Sequence, residues 1–369
     1  MTKKLRLGVI FGGRSGEHEV SLMSARSVMS ALDADKYEIV PIGITKQGRW
    51  LAGGDVLTAF EQARTHELGS VALPAEPGLN ALYRWSEDQA LQRIADLEVV
   101  FPVLHGTYGE DGTLQGLLEM ADVPYVGTGV LASSLAMDKG LFKSVMRAND
   151  IPVLDWMIVL STQLEKDVQA ELDRLESFSP YPLFTKPANM GSSVGVSKCR
   201  SRSDLLEGIM DAARYDRRIL VEVGLEAREI EVSVLGNEDP QASIPGEVVP
   251  GDEFYSYKAK YIDDTSQLLI PAPVDDSLAG EARRLAVEAF KAIDGAGMGR
   301  VDFLLDKQSG RLYLNEINTI PGFTKISMYP KLWEASGLPY TKLLDRLIEL
   351  AFERQAQKDK LERAYEVGA

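Results

Sequence analysis

The feature that most limits the fold is an apolar run that stops on glycines and restarts as a helix, repeated through the first third of the chain. Leu5–Phe11 is such a run; it breaks into Gly12-Gly-Arg-Ser-Gly-Glu17, and a helix follows over Val20–Leu32. Tyr37–Ile44 reads as a second strand, with Val40, Ile42 and Ile44 alternating. Leu97–Leu104 is a third, ending in His105-Gly-Thr-Tyr-Gly-Glu-Asp-Gly112. Strand, turn and helix in alternation predict a parallel, doubly wound sheet. Ligand loops then fall at the carboxyl ends of the strands, where both glycine-rich turns lie. Residues 53–90 have weak periodicity and read as an insertion or surface subdomain.

A second unit follows. A helical stretch over Ala132–Asn149 ends at Ile151-Pro152, because proline disfavours helix for the residue before it. Next come a strand Trp156–Leu160, a helix Thr162–Leu175, strand-like Pro182–Pro187, and a helix Ser201–Arg214 capped by Ser201 or Ser203. Ile219–Glu222 and Glu229–Leu235 are strand-like. In the last third, Leu278, Ala282, Leu285, Ala289 and Ile293 mark one helix, and Leu343, Leu344, Leu347, Ile348, Ala351 and Phe352 another. The charged tail after Gln355 frays. With 369 residues, the chain calls for two or three domains.

Composition removes several function classes. The chain has 40 basic and 55 acidic residues, a net charge of −15, which argues against a nucleic-acid partner. ATP remains compatible, since a few lysines and a cation inside a cleft reverse the local field. No apolar run reaches the roughly 18–20 residues that span a bilayer, and no signal sequence is read at the start. The single Cys199 rules out an internal disulfide and points to a cytoplasmic location. Only His18, His66 and His105 occur, without His-x-x-x-His spacing, so a zinc enzyme is not expected.

Two neighbouring strands carry the most specific chemistry. Arg300-Val-Asp-Phe-Leu304 and Leu312-Tyr-Leu-Asn-Glu-Ile-Asn318 are joined by the turn Asp306–Gly310. Side chains alternate across a strand, so Glu316 and Asn318 share a face, and hairpin pairing sets Asp302 beside Glu316. Two carboxylates and an amide oxygen are hard donors that suit Mg²⁺ shared with a nucleotide's phosphates. The plain alternative is a hairpin with exposed polar residues. Arg300 lies on the same face and is placed to neutralise an oxyanion, and the turn Thr319–Thr324 offers the Gly322 N–H to a substrate oxygen.

Other residues keep two readings each. Lys186 ends a strand before Pro187-Ala-Asn-Met-Gly-Ser-Ser-Val-Gly195, whose N–H groups and Ser192 and Ser193 hydroxyls suit phosphates; the alternative is an ordinary serine-rich loop. No P-loop occurs. Glu222 and Glu229 flank a turn able to meet ribose and adenine, or are strand-edge glutamates. Glu17 either complements a helix dipole or receives a substrate ammonium. His105, beside a loop with Glu110 and Asp111, is structural or functional. Lys258-Ala-Lys-Tyr261 belongs to a polar, aromatic stretch that reads as a mobile lid or as exposed loop. The first glycine turn lacks the Gly-x-Gly-x-x-Gly register and no acidic residue follows the second strand, which argues against a dinucleotide oxidoreductase.

Taken in order, these segments resemble the D-alanine–D-alanine ligase family of the ATP-grasp superfamily over nearly the whole chain. The resemblance rests on Gly12–Ser21, His105–Gly116, Met137-Asp-Lys139, Lys186–Gly195, Lys258–Tyr261, Gly299-Arg-Val-Asp302 and Asn315–Phe323. It implies an α/β (α+β three-domain) protein: a Rossmann-like N-terminal domain (1–136), a central ATP-grasp lid domain (137–223) and a C-terminal ATP-grasp catalytic domain (224–369). It implies ATP-dependent ligation of two D-alanines through an acyl phosphate, for peptidoglycan precursors, by a cytoplasmic homodimer using Mg²⁺ or Mn²⁺. Neither nucleic acid nor membrane is involved.

By the same resemblance, Asp302, Glu316 and Asn318 hold the metal, and Lys139, Lys186, Ser192, Ser193, Glu222, Glu229 and Lys260 serve the nucleotide. Glu17 binds the first ammonium, while Lys260, Ser327 and Gly322 hold the second substrate. Arg300 and Gly322 stabilise the oxyanion, Glu17, Ser192 and Tyr261 form a bonded set, and His105 is a candidate proton acceptor. Many relatives carry Glu-Lys where this chain has Glu222-Val223. Rivals are a D-alanine–D-lactate ligase, an ATP-grasp ligase for another amino acid, and a non-catalytic nucleotide-binding regulator. The last predicts damaged metal ligands, and these are intact.

Overall fold

The computed structural model describes residues 3–86, 88, 90–249, 267–324 and 326–362. Its first strands are β1 (Leu5–Gly12), β2 (Tyr37–Ile44), β3 (Trp50–Ala52) and β4 (Gly69–Ser70), followed by β5 (Ala81–Trp85), β6 (Leu91–Asp96) and β7 (Val99–Pro102). The first sheet has the order β4-β3-β2-β1-β7; β5 pairs with β6 in a separate hairpin and makes one antiparallel bridge, Tyr83 to Ala72. β1 runs parallel to β2 and to β7, with Leu5 opposite Tyr37 and Leu7 opposite Val99. β1 is buried from Leu7 to Gly12, as a parallel strand covered on both faces requires. The expectation of a wholly parallel sheet is corrected at one edge, where β3 pairs antiparallel to β2 and β4 to β3. A turn closed by Gly48 N donating to Thr45 O reverses the chain there, which leaves no room for a crossover helix. At the end of β1, Gly12 has φ +90 and a Cβ would stand 2.3 Å from the Ile44 carbonyl oxygen. That close approach lets the helix His18–Ala31 start directly over the strand end.

The second sheet, β8 (Trp156–Leu160), β9 (Leu183–Pro187), β10 (Ser197–Cys199) and β11 (Arg218–Val223), has the order β10-β9-β11-β8 and is antiparallel throughout. Helices Val168–Phe178 and Arg202–Ala212 bury Leu172, Leu175, Leu205 and Ile209 against it, around the buried Cys199. Two helices expected as single stretches are each broken at an aspartate. Asp138 accepts from Gly140 N and Leu141 N, so Val130–Met137 ends and Lys139–Ala148 begins there. Asp167 does the same for Gln169 N and Ala170 N, separating Ser161–Lys166 from Val168–Phe178. In both places a side-chain oxygen satisfies N–H groups that an unbroken helix would bond internally.

The third sheet contains β12 (Ala227–Leu235), β13 (Gln241–Ala242), β14 (Gly246–Val249), β15 (Gln267–Leu269), β16 (Met298–Asp306) and β17 (Leu312–Asn318). Its path is β15-β14-β12-β16-β17, with β13 on β12. Helix Asp276–Ala292 covers one face, burying Leu285, Ala289 and Phe290 with Val232, Val301 and Phe303. Alternation then sends Glu231, Arg300 and Asp302 to the other face. Helix Lys139–Ala148 buries Phe142 and Met146 in this same core. The last helix, Tyr340–Lys358, returns to the first sheet: Leu343, Leu344 and Leu347 share a core with Leu7, Val9 and Phe101. Tyr37 pins it by donating to Asp345 at 2.8 Å. Among the described residues, no helix is long and apolar enough to cross a membrane.

Candidate active site

The open face of the third sheet carries a straight row of acids. Asp302 lies directly opposite Glu231 on one side and Glu316 on the other. Arg300, opposite Asn318, reaches back along its strand: its Nε and Nη2 donate to the two Asp302 oxygens at 2.7 and 2.6 Å. The same Nε stands 3.0 Å from Glu231 Oε2. Asn318 Nδ2 also donates to Asp302, at 2.9 Å, which turns the Asn318 oxygen away as a further donor atom. A bulge follows the Asp302–Glu316 pair, so Asn315 is the extra residue and Phe303 faces Leu314.

Two cavities meet at this row. One, of about 570 Å³, lies between the second and third sheets and is lined by Lys186, Ser193, Glu222, Glu229 and Asp302. The other, of about 640 Å³, is lined by Glu17, His105, Arg300, Asn318, Gly322 and Ser327. Lys139, Ser192, Glu231 and Glu316 line both.

At the base of the smaller cavity, Glu222 is buried between two lysines. Lys186 donates to its Oε2 at 2.6 Å and Lys143 is ion-paired with its Oε1. Burial pushes the Glu222 carboxyl upward, but the charges of Lys143 and Lys186 outweigh it and hold the group down at about 2. Burial pulls the Lys143 ammonium below the ordinary lysine range despite Glu222. It also disfavours charge on Lys186, yet attraction to Glu222, with Glu316 and Glu229 behind it, raises that group. Lys186 therefore stays a cation at the cavity wall. Lys139 donates to the Met190 carbonyl at 2.7 Å and stands 3.8 Å from Glu316.

The glycine–serine loop after β9 closes the junction. Ser192 and Ser193 both take left-handed backbone, at φ 53 and 57, a conformation that costs about 1–2 kcal/mol each and is retained at ligand clamps. The Ser192 hydroxyl donates to Glu17, the residue before the first helix. Gly106 and Gly191 crowd the other Glu17 oxygen: a Cβ on either would approach it to 2.6 or 2.8 Å. His105 is buried, with Nδ1 2.9 Å from the Ile320 carbonyl oxygen and Nε2 3.0 Å from Ser24 Oγ. Burial lowers its pKa, so it is neutral in this setting. Glu110 opens onto the larger cavity, yet the protein around its carboxyl and the neighbouring Glu17 charge push it up to about 8. Ser327 Oγ accepts from Thr324 N at 3.0 Å and rests against Gly322, where a Cβ would come within 2.7 Å of it.

Sequence profiles described as D-ala D-ala ligase N-terminus and D-ala D-ala ligase C-terminus match residues 6–128 and 145–349. The D-alanine--D-alanine ligase of Thermoanaerobacter sp. (strain X514) is 52% identical over 360 residues, covering 96% of this chain and 99% of the relative. That of Natranaerobius thermophilus is 47% identical over 358 residues, covering 97% and 98%. The chain belongs to the D-alanine–D-alanine ligase family. Among solved structures, the D-alanine-D-alanine ligase from Coxiella burnetii matches with a TM-score of 0.83 and 39% identity, covering 99% of each chain. The VanG D-Ala:D-Ser ligase from Enterococcus faecalis gives 0.84 and 33%, covering 95% of this chain and all of that one.

As a D-alanine–D-alanine ligase family member, the chain gathers the residues singled out in its sequence around the two cavities. Glu17, His105, Arg300, Gly322 and Ser327 surround one; Lys186, Ser193, Glu222 and Glu229 the other; Lys139, Ser192 and Glu316 the junction. Lys260 and Tyr261 lie outside the described residues, so of the Glu17–Ser192–Tyr261 set only the Glu17–Ser192 bond is seen. Two residues went unread in the sequence. Glu231 had a signal, since it sits two positions after Glu229 on one strand and so shares its face. Lys143 had a fainter one, four residues after Lys139 on a helix.

Proposed function

We propose that the two cavities form one chamber in which ATP drives the joining of two D-alanines to D-alanyl-D-alanine, the step that supplies peptidoglycan precursors. The observation that carries this reading is the row Glu231–Asp302–Glu316 with Arg300, set where the two cavities meet in a chain of this family. The smaller cavity takes the nucleotide: Lys186 and Lys139 face its phosphates, Ser192 and Ser193 cover them, and Glu222 and Glu229 serve adenine and ribose. The larger takes the amino acids.

The chemistry assigns tasks to each wall. The carboxylate of the first D-alanine attacks the γ-phosphorus, ADP leaves, and an acyl phosphate remains. The amine of the second, as the free base, then attacks the acyl carbon; the bond to the phosphate oxygen breaks, and the proton given up by nitrogen leaves with the phosphate. Glu17 receives the first ammonium, and Ser192, bonded to Glu17, keeps the loop closed so that water does not reach the acyl phosphate. Arg300 and the Gly322 N–H face the tetrahedral oxyanion, the position at which fixed donors accelerate acyl transfer most. Ser327 and Lys260 receive the second carboxylate, and Tyr261 completes the Glu17–Ser192 set.

Asp302 and Glu316 carboxylates with the Asn318 amide oxygen form an all-oxygen donor set that fits Mg²⁺ or Mn²⁺. Among the described residues no group of three or more carboxylate, imidazole or thiolate side chains is placed to hold an ion, and in the set proposed here the Asn318 oxygen is the third ligand. Such an ion supplies charge screening between triphosphate and carboxylate. We further propose units 1–136, 137–223 and 224–369, a cytoplasmic site of action, and a homodimer on the family resemblance.

The test is phosphate release from ATP with D-alanine, L-alanine, or D-alanine plus D-lactate at neutral pH. D-Alanine-dependent release without stimulation by L-alanine is the expected result. No D-alanine-dependent release overturns the reading.

A further inference from the structure

The turn Ile320-Pro321-Gly322-Phe323 is held by groups from elsewhere in the chain. Glu110, in the loop after β7, accepts from Ile320 N at 3.0 Å through one carboxyl oxygen. Its other oxygen accepts from Gly106 N at 2.6 Å, which fixes the carboxyl group in its own loop. His105 Nδ1 lies 2.9 Å from Ile320 O. Ser24, on the first helix, accepts from Phe323 N at 3.3 Å, and Tyr340 donates to Phe323 O at 3.0 Å. The peptide groups on both sides of Gly322 are thus fixed, and none of these bonds uses the Gly322 N–H between them.

The bonds also define the state of His105. A carbonyl oxygen only accepts, so Nδ1 carries the hydrogen. In the neutral ring Nε2 then accepts from the Ser24 hydroxyl at 3.0 Å, while Ser24 Oγ accepts the Phe323 N–H. The chain runs Ile320 O, His105, Ser24, Phe323 N without a break in donor sense. Ser24 has no solvent exposure and His105 has 4%, so water does not compete for either. Both imidazole nitrogens are taken up in holding the turn.

We propose that Ser24, His105 and Glu110 are positioning residues that aim the Gly322 N–H, with His105 a neutral strut and not a proton acceptor. This rests on the assignment of Gly322 to the oxyanion site. A turn displaced by about 1 Å forfeits on the order of a hundredfold in rate, comparable to losing an oxyanion donor.

The variants His105→Ala, His105→Asn and Ser24→Ala separate the two roles. Asparagine keeps an N–H where Nδ1 stood but takes up no proton at neutral pH. His105→Ala is expected to lower kcat roughly a hundredfold and Ser24→Ala about tenfold, each with KM for ATP within about twofold of the parent. His105→Asn is expected to recover at least about tenfold of the alanine loss. A His105→Asn enzyme as slow as His105→Ala overturns the strut, as does Ser24→Ala with unchanged kcat. Hydrogen exchange in peptides over Asn318–Thr324 decides the strut even without turnover. His105→Ala is expected to exchange about tenfold faster and His105→Asn near the parent, each tenfold being 1.4 kcal/mol; equal exchange in all three overturns it. Absence of D-alanine-dependent phosphate release in the parent enzyme counts only against the reaction assigned above.

Discussion

Replacing Glu222 by glutamine removes the charge on which two lysines converge while leaving the shape of the site nearly unchanged. The Glu222 carboxyl is held at about 2 against an ordinary 4.5, and it is 1% exposed, so screening by water takes little away. That difference, 4.5 − 2 = 2.5, corresponds to about 3 kcal/mol in favour of the folded, charged form. Its sign follows from the direction of the shift. A lowered carboxyl stabilises the fold fully above pH 4.5, and the contribution fades as pH falls toward 2. Because a chain of this size need not unfold in one step, hydrogen exchange over β9 and β11 is the suitable readout. At pH 7, Glu222→Gln is expected to speed exchange there by roughly 300-fold, the equivalent of that difference and at the lower end of the 3–5 kcal/mol range for breaking a buried ion pair. The gap should persist down to about pH 5 and close below it. Lys143, whose pKa burial already lowers, loses with Glu222 the charge that opposes this and is more easily neutralised in the variant, which limits the loss. Adding Lys143→Met is therefore expected to return about 1 kcal/mol, by replacing a stranded amine with an apolar chain. Exchange within about threefold of the parent at pH 7, or a gap unchanged from pH 7 to pH 3, refutes the charge account.

Four further outcomes are expected. Glu316→Gln should cut kcat at least about a thousandfold with an unchanged melting temperature; near-normal turnover removes Glu316 from the metal site. Arg300→Lys keeps the charge but loses the planar fork, so kcat should fall roughly a hundredfold, and an unaltered rate places the oxyanion elsewhere. In Gly191→Ala the new Cβ meets the flexible tip of Glu17 at 2.8 Å, so melting should barely move while KM for D-alanine rises about tenfold and KM for ATP stays put. A parallel rise in both constants refutes that assignment. Chelation should abolish phosphate release, with Mg²⁺ or Mn²⁺ restoring it, yet leave circular dichroism unchanged because Arg300 already occupies Asp302; turnover in excess chelator refutes it.

What was legible in the sequence followed from local rules. The Asp302–Glu316 pairing could be read because a five-residue turn and a period of two leave few registers for a hairpin. The helix breaks at Asp138 and Asp167 escaped because aspartate is tolerated in a helix as well as at its cap, and only tertiary placement decides. Glu231 escaped for a different reason: β12 reaches Asp302 across some 70 residues of sequence, and packing against Val301 and Phe303 sets that register. Lys143 was visible as a helix-face neighbour of Lys139, but its burial follows from tertiary placement: Phe142 and Met146 anchor the helix in the third sheet's core while Lys143 pairs with Glu222 on β11 of the second. Nor does the fold choose the second substrate, since a D-Ala:D-Ser ligase superimposes as well as a D-alanine-D-alanine ligase does. Lys260 and Tyr261, which the family resemblance sets at the second substrate and in the Glu17–Ser192 set, lie outside the described residues.

The acidic row raises an electrostatic question that the fold answers in its own strands. Both substrates of a carboxylate-activating reaction are anionic where they meet, yet three carboxylates line the meeting point. Their order across β12, β16 and β17 explains how the protein tolerates them. Arg300 spans Glu231 and Asp302 within 3.0 Å, so two of the three share one guanidinium, and Lys139 stands 3.8 Å from the third. Arg300 thereby offsets two of the three carboxylates and Lys139 the third. Under the oxyanion role proposed above, any turn of the guanidinium toward the acyl carbon would cost Asp302 its fork and leave it in need of another positive partner. Under that same proposal Glu231, which holds the arginine Nε from the strand opposite, would set how easily the guanidinium leaves Asp302.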